Sequence, residues 1–309
     1  TQIGAFRCFD VNEDNCLLPQ LGSGPFRDSP TNGFLTVKEY QEILVYANER
    51  QIEVIPSFDL PGHARAAVKA MEARYRKYKR LEQSDKAREF LLSDFADNTK
   101  YSSVQFYNDN TVNPCLESTY HFIDTIIRNV KALHKQVNVP LNAYHIGADE
   151  TAGAWINSPV CKKRIAQEEA LNTVSDLKPW FLSRVIDIVE KHQLQAAGWS
   201  DGMHKVLESE AGKGHQVNIW DPLFWNGHEN AREFSIKGWT TVLSIPDVNY
   251  FDFPYANHPE EPGYYWASKN TDEFKVFQFM PQNLEANAVQ WVDRMGNPYD
   301  VQSEQEQSI

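Results

Sequence analysis

Apolar residues recur at helical spacing in some segments of the chain and form short continuous runs in others, and the two kinds of segment alternate. Helical spacing predicts helices at residues 36–47, 64–80, 118–135, 160–170, 176–192 and 229–237, and a helical turn at 203–207. Apolar runs predict strands at 52–59, 139–147, 194–199, 216–220 and 240–245. The first helix has a clear start, because Thr36 is a capping residue and Glu39 completes a capping box.

Strands that alternate with helices predict a parallel sheet with helical crossovers. Chemically active residues follow all five strands: Asp59 with His63, Asp149 with Glu150, Trp199 with Asp201, Trp220 with Asp221, and Tyr250 with Asp252. In a (β/α)8 barrel every strand end lies at one face. A doubly wound sheet would concentrate its site at one switch point. The pattern therefore favours the barrel.

The segments outside this alternation are polar. Residues 1–35 are rich in Gly, Pro, Asn and Asp and predict a long loop with at most a short strand at 3–9. Residues 93–115 are loop-like, and the tail from Gln282 carries no order signals. We find no internal repeat and no linker, so the whole chain, 1–309, is predicted to be one domain, which the resemblance described below implies to be part of a catalytic barrel.

The composition and net charge of the chain argue against some classes of binding partner. The chain has 309 residues, 41% hydrophobic and 12% aromatic, with a net charge of −12 and a pI of about 5.2. This charge argues against nucleic acid or an anionic membrane as a partner, and a neutral substrate is not penalised by it. No apolar run approaches the roughly 20 residues that span a bilayer. Nothing at Thr1 resembles a signal peptide, although a chain without an initiator methionine could have lost one.

Four cysteines, Cys8, Cys16, Cys115 and Cys161, give an even count without the spacing of a zinc site. Cys8 and Cys16 flank a short polar loop, as a local disulfide would. Two bridges and an oxidising compartment fit this count, and four buried free thiols remain the alternative.

The pair Asp149-Glu150 directly follows the apolar run at 139–146. Two carboxylates this close cannot both ionise freely in a sheltered place, so one pKa should be raised. A carboxylic acid that keeps its proton near neutral pH can act as a general acid. An acidic pair usually lies on the solvated surface of a protein, but the apolar strand that precedes Asp149-Glu150 favours a functional site at this position.

Aromatic residues lie on or after the later strands: Trp199, Trp220, Trp225, Tyr250, Tyr264, Tyr265 and Trp266. Flat rings at a polar concave site suit the apolar face of a sugar, although each ring could equally be core packing. Asp201 and Asp252 could accept hydrogen bonds from sugar hydroxyls. His63 could orient a carboxylate, although a lone histidine is more often structural. An acid pair with such rings indicates glycoside hydrolysis.

At this point the sequence resembles a known family. Residues 145–150, HIGADE, are similar to the H-x-G-[GA]-D-E motif of family 20 glycoside hydrolases, the β-N-acetylhexosaminidases, and within them the bacterial chitobiases. Residues 52–66 resemble the third-strand motif of that family, and residues 7–20 resemble its cysteine loop. Residues 250–255 and 263–266 resemble its seventh-strand loop. The similarity extends over nearly the whole chain.

The resemblance implies retaining, substrate-assisted hydrolysis of terminal N-acetylhexosamine residues, from chitobiose and chitooligosaccharides in chitin degradation, without cofactor or metal. It implies the following roles: Glu150 as general acid and base, Asp149 as partner of the acetamido N–H, Tyr250 as donor to the acetamido oxygen, Trp199 and Trp220 lining the acetamido pocket, Asp252 binding hydroxyls, Trp266 stacking on the next sugar, and His63 with Asp59 supporting Glu150. A bacterial, periplasmic or secreted protein is implied as well.

Three motifs of the family are missing: a first-strand arginine, the second-strand H-L-T-D-D-x-x-G-W-R and the eighth-strand W-x-E. We therefore expect strands three to seven of the barrel. Residues 1–35 would precede the third strand's helix, and 282–309 would be a loop before the last strand. Other domains of the same parent chain would be partners, and the piece alone is expected to be inactive.

Two rival functions stay open. One is a metal-dependent barrel hydrolase with His63, His145 and the nearby acids as ligands. The position of His145 within the strand predicts that its side chain points away from those acids. The other rival is a barrel that binds carbohydrate without cleaving it.

Overall fold

A computed structural model describes residues 35–151 and 153–298 of the chain. The short strand predicted at 3–9, the cysteines Cys8 and Cys16 and the end of the tail lie outside these residues. The chain divides into two compact units, the first ending at Gly198 and the second beginning at Trp199.

The described part of the first unit alternates strands and helices as predicted. Its helices are α1 (Val37–Asn48), α2 (Arg65–Arg80), α3 (Ser84–Arg88), α4 (Glu117–Gln136), α5 (Pro159–Ile165) and α6 (Leu177–Lys191), with a 3-10 turn at Val174–Asp176. Its strands are β1 (Ser57–Leu60), β2 (Ala143–Gly147) and β3 (Gln195–Trp199), whose last residue opens the second unit. β1 pairs in parallel with β2, and β2 pairs in parallel with β3.

The local sequence explains these elements. The Thr36 side chain accepts a hydrogen bond from the Glu39 amide and the Glu39 side chain accepts one from the Thr36 amide, which is the predicted capping box of α1. The helix α4 buries one face, including Phe122 and Ile126, as its apolar spacing predicts. All five residues of β2 are buried, which is the pattern of a strand covered on both faces.

The second unit has the same kind of alternation. Its described helices are α7 (Ser200–Met203), α8 (Gly227–Ile236), α9 (Pro246–Asn249), α10 (Glu273–Phe277) and α11 (Leu284–Ala288), with 3-10 turns at His204–Val206 and Leu223–Trp225. Its strands are β4 (Gln216–Ile219) and β5 (Thr240–Leu243). They pair in parallel, with Gln216 opposite Thr240 and Ile219 opposite Leu243. The predicted α/β class with parallel strands is therefore confirmed in each unit.

Several predicted bounds were wrong. The strand predicted at 52–59 begins only at Ser57, because Ile52 is 59% exposed and follows directly on the turn that ends α1. The helix predicted at 160–170 ends at Ile165, and the turn predicted at 203–207 begins as α7 at Ser200.

The tail from Gln282 was predicted to lack order, yet it contains α11. The Asn283 side chain caps this helix by accepting from the Ala286 amide, and Leu284 and Ala288 are buried. An antiparallel bridge between Val292 and Pro298 follows. Asn, Leu and Ala are capping and helix-forming residues, so the signal was present but short.

A disulfide joins Cys115, just before α4, to Cys161 in α5. The prediction of a bridge is confirmed for this pair, so the alternative of four free thiols was wrong. Among the described helices, none has the length and apolar character needed to cross a bilayer.

Candidate active site

A sharp turn at the end of β2 positions the predicted acid pair. Ala148 and Glu150 have positive φ angles of 81° and 40°, and His63, in the loop after β1, has a φ of 50°. The Ala148 amide donates to the Leu60 carbonyl oxygen at 2.8 Å, which fixes this turn against the end of β1. Non-glycine residues with left-handed backbone are strained, and such strain concentrates at functional sites.

Gly147 allows the ends of β1 and β2 to approach closely. Its φ is +77°, and a Cβ at this position would lie 2.5 Å from the Asp59 Cα and 2.8 Å from Asp59 Oδ1. Only a residue without a side chain fits this backbone conformation and this contact. The glycine of the strand-end motif therefore brings Asp59 next to the acid pair.

His63 bridges the two carboxylates. Its Nε2 lies 3.2 Å from Asp149 Oδ2 and 3.2 Å from Glu150 Oε2, and all three side chains are between 16% and 24% exposed. The hydrogen bonds to Asp149 and then to Glu150 raise the pKa of His63 to about 10, against the opposing effect of burial. At neutral pH, His63 is therefore an imidazolium between two acids.

The loop that carries His63 is anchored on both sides. The Val112 amide donates to the Pro61 carbonyl oxygen, and the Ala64 amide donates to the Asn110 carbonyl oxygen, both at 2.9 Å. A Cβ on Gly62 would lie 3.3 Å from the Asp149 carbonyl oxygen, so this loop also passes close to the acid turn.

Asp59 adds a third carboxyl to this cluster. Burial raises its pKa, the charge of Asp149 raises it further, and the Ser57 hydroxyl, which donates to Oδ1 at 3.2 Å, opposes the rise. Four titratable groups thus share the ends of β1 and β2, and His63 is their positive member.

Gln105 also contacts the acid pair and was missed by sequence reasoning. Its Nε2 donates to Glu150 Oε2 at 3.1 Å from a loop 45 residues earlier in the chain. An exposed glutamine in a polar loop carries no periodic or motif signal, so no sequence pattern indicated this contact.

His145, predicted to point away from the acids, contacts the ends of β1 and β2. It is buried, and its Nδ1 accepts a hydrogen bond from the Gly147 amide at 3.2 Å and lies 3.4 Å from the Ser57 hydroxyl. It fixes the end of β2 rather than joining His63. The ligand atoms of His63, Asp149 and Glu150 lie within 4.8 Å of one another, a spacing that a metal ion could also use.

The second unit holds an aromatic cluster of four predicted site residues: Trp199, Trp220, Tyr250 and Trp266. Ring centroids are 6.3 Å apart for Trp199 and Trp220, 5.8 Å for Trp220 and Trp266, and 5.3 Å for Tyr250 and Trp266. All four are half-buried. Edge-on and tilted contacts at this spacing are favourable for aromatic pairs.

Carboxylates orient two of these rings. Trp220 Nε1 donates to Asp201 Oδ1 at 3.0 Å, and Trp266 Nε1 donates to Asp252 Oδ2 at 2.8 Å. The indole N–H can only donate, so each carboxylate selects one orientation of its ring. Asp201 was predicted as an acceptor for sugar hydroxyls, and one of its oxygens accepts from Trp220.

The other predicted aromatic residues are more exposed. Trp225 is 52% exposed, Tyr264 69% and Tyr265 43%. The Tyr264 amide donates to the Asp252 carbonyl oxygen at 2.7 Å, which links this tyrosine to the Asp252 loop.

Known proteins resemble the chain strongly. Residues 1–307 match the family described as glycosyl hydrolase family 20, catalytic domain. The chain is 47% identical to a beta-hexosaminidase of Vibrio vulnificus over 300 residues, 96% of its length. It is 40% identical to N,N'-diacetylchitobiase of Vibrio harveyi over an alignment of 341 residues, 98% of its length.

A solved structure is also similar to this chain. The exo beta-N-acetylglucosaminidase of Vibrio harveyi in complex with N-acetylglucosamine matches 83% of this chain with a TM-score of 0.65 and 28% identity. The chain spans little more than a third of these relatives: 35% of the Vibrio vulnificus protein, 38% of the chitobiase and 36% of the solved chain.

Proposed function

We propose, from the premise that the chain belongs to glycosyl hydrolase family 20, that it carries the acid pair of a β-N-acetylhexosaminidase. Its reaction would be hydrolysis of terminal, non-reducing N-acetylhexosamine residues. The observation that carries the proposal is the arrangement of Asp149 and Glu150 at the end of β2, both within 3.2 Å of His63 Nε2.

The reaction would retain configuration with the help of the substrate. The 2-acetamido oxygen attacks the anomeric carbon while the bond to the leaving oxygen breaks, which gives an oxazolinium ion. Glu150 donates its proton to the leaving oxygen and then takes a proton from the water that opens the ring. Asp149 accepts from the acetamido N–H and offsets the positive charge that develops, which lowers the barrier electrostatically.

His63 supports this division of labour. A cation between two acids lowers the cost of keeping both side chains together, and it fixes the distance between them. Asp59, brought close by Gly147, is the acceptor expected to keep His63 in place.

The aromatic cluster supplies the sugar-binding part of the proposal. Trp199 and Trp220 would line the acetamido pocket, and Tyr250 would donate to the acetamido oxygen. Trp266 would stack on the next sugar. Asp252 holds the Trp266 indole with one oxygen and would bind hydroxyls of the terminal sugar with the other.

The relatives favour a particular substrate. One is named a diacetylchitobiase, and the solved structure contains N-acetylglucosamine. We therefore propose chitobiose and chitooligosaccharides as substrates, in chitin degradation. The Cys115–Cys161 disulfide supports export from the cytosol, to a periplasm or outside the cell. Family 20 catalytic domains are (β/α)8 barrels, and we propose that fold for the domain to which this chain belongs.

The test uses the full protein that carries this chain. An aryl N-acetyl-β-glucosaminide and chitobiose should be cleaved, and the matching glucosides, which lack the acetamido group, should not. Glu150→Gln should lower kcat for chitobiose by about 10²–10⁴-fold. Asp149→Asn should lower it sharply as well. Glu169 is an exposed acid 19 positions after Glu150 in the sequence, so Glu169→Gln is the matched control and should leave the rate unchanged.

One rival has an observation in its favour, since the ligand atoms of His63, Asp149 and Glu150 cluster within 4.8 Å. A metal-dependent hydrolase would lose its activity with a chelator and regain it with a divalent cation. Substrate-assisted cleavage would be indifferent to both. Cleavage of plain glucosides at an equal rate would refute the role of the acetamido group.

A further inference from the structure

We propose that Gln105 is a positioning residue for the general acid: with His63 it holds one oxygen of Glu150, Oε2, so that the transferable proton is carried on Oε1. The inference rests on the proposed function, since it takes Glu150 as the proton donor. It adds a residue from a separate loop, outside the motifs that the sequence reveals.

One hydrogen-bond donor and one cationic ring lie next to the same oxygen atom of Glu150. Gln105 Nε2 lies 3.1 Å from Glu150 Oε2, and His63 Nε2 lies 3.2 Å from it. The glutamine presents its amide nitrogen to Oε2, so this oxygen accepts the hydrogen bond. If the carboxyl proton were on Oε2, it would face two other N–H groups. The proton is therefore favoured on Oε1, which leaves the plane of the carboxyl group fixed while it is transferred.

The loop that carries Gln105 is closed on itself. The Ser103 amide donates to the Tyr107 carbonyl oxygen at 2.7 Å, and the Phe106 amide donates to the Ser103 carbonyl oxygen at 2.9 Å. The Ser103 hydroxyl accepts from the Tyr107 amide at 3.1 Å. Ser103 is buried, so the base of the loop is fixed while its tip extends outward.

Ion pairs with α2 anchor the part of the loop that follows Gln105. Arg65 binds Asp109 at 2.7 Å, and its guanidinium lies 5.3 Å from the centre of the Tyr107 ring. Lys69 binds Asp109 at 2.9 Å. These contacts all come from α2, the helix that begins directly after the loop of His63. The loop of Gln105 is therefore attached to the same helix that follows the loop of His63.

The tip itself is exposed. Val104 is 62% exposed and Phe106 is 90% exposed. Since the tip residues on both sides of Gln105 have little burial, the fold alone gives no reason for the Gln105 side chain to adopt one position. Its hydrogen bond to Glu150 supplies that reason and links the tip to the end of β2.

This role predicts a dependence on the leaving group. A sugar alkoxide must be protonated as it leaves, whereas a 4-nitrophenolate leaves without a proton. Loss of the Gln105 donor lets the Glu150 carboxyl rotate, which misplaces the proton for the leaving oxygen but does not affect the attack of the acetamido oxygen. The defect should therefore appear with chitobiose and be nearly absent with 4-nitrophenyl N-acetyl-β-glucosaminide.

The experiment compares Gln105→Met, which keeps the length but removes the donor, with Val104→Ala as the matched control in the same loop. Both are made in the full protein, with circular dichroism to confirm the fold. Gln105→Met should lower kcat for chitobiose about 10- to 100-fold and change KM little. On the nitrophenyl substrate, kcat/KM, which reports only the steps up to departure of the leaving group, should fall less than about 3-fold. Val104→Ala should match the wild type on both.

The pH profile gives a second readout. A donor to the ionised carboxylate favours ionisation, so its removal should move the alkaline limb of kcat for chitobiose to higher pH. Gln105→Glu, which puts a like charge against Oε2, should move it further. Equal losses on both substrates, or an unchanged profile in both variants, would overturn the positioning role while leaving Glu150 as the acid. Lack of any cleavage by the wild type would overturn the proposed function and this inference with it.

Discussion

Replacement of Gly147 by alanine tests whether the close approach of β1 and β2 builds the acid cluster. An added Cβ would lie 2.5 Å from the Asp59 Cα, 2.8 Å from Asp59 Oδ1 and 2.9 Å from the Asp59 Cβ. The φ of +77° costs an alanine about 1–2 kcal/mol. Overpacking against a backbone atom that cannot rotate away adds roughly 1–3 kcal/mol. The expected loss of unfolding free energy is therefore about 2–5 kcal/mol.

Gly212 provides the matched control. Its φ of +76° is nearly the same, but an added Cβ would meet nothing within 4 Å. Gly212→Ala should therefore cost only the backbone part, about 1–2 kcal/mol. Urea unfolding measures both variants, and hydrogen exchange of the Ala148 amide, which donates to Leu60, reports the local effect at the strand end.

The comparison can refute the reasoning. If Gly147→Ala and Gly212→Ala lost equal stability, the contact with Asp59 would carry no energy. The Ala148 amide should exchange faster in Gly147→Ala and not in the control. Unchanged exchange would mean that the two strand ends adjust without cost.

Three other predictions concern the remaining contacts. The pKa of His63 is raised to about 10 from an ordinary 6.5, so the stability that its charge adds is complete below pH 6.5 and is lost as the pH rises to about 10. The difference in unfolding free energy between wild type and His63→Gln, measured from pH 6 to 10.5, should therefore shrink as the pH rises and be largest at pH 6. Replacing Cys115 and Cys161, 46 residues apart, by alanine should lower the unfolding free energy by roughly 3–4 kcal/mol. Oxidised and reduced wild-type protein should differ by a similar free energy in urea unfolding, and equal unfolding midpoints would exclude a stabilising bridge. Asp201→Ala should cost about 1.5–3 kcal/mol and change the near-UV circular dichroism, since Trp220 loses its acceptor, while Asp201→Asn keeps an acceptor oxygen and should retain the spectrum.

The elements were predictable because the signals that specify them are local. The capping box at Thr36 and the apolar face of α4 act within one helix, and both were confirmed. The start of β1 was not predictable in this way. Ile52 belongs to an apolar run, but its exposure is set by the turn that ends α1 and not by its neighbours in the run.

The same distinction between local and distant contacts separates the site residues that the sequence predicted from those that it missed. The strand-end motif and the aromatic residues were found from sequence, because motif residues and strand ends are local features. Gln105 and the indole partner of Asp201 were missed, since each contact depends on where separate loops meet. Hydrogen bonds between distant loops leave no periodic pattern, and only coordinates reveal them.

The aromatic cluster has an optical consequence. With indole centroids 6.3 Å and 5.8 Å apart along Trp199, Trp220 and Trp266, excitation absorbed by one ring passes readily to the next. Tyr250, at 5.3 Å from Trp266, can feed energy into the same group. A ligand that contacts any one of these rings should therefore alter the emission of the whole group, so the rings would report its binding without an added label.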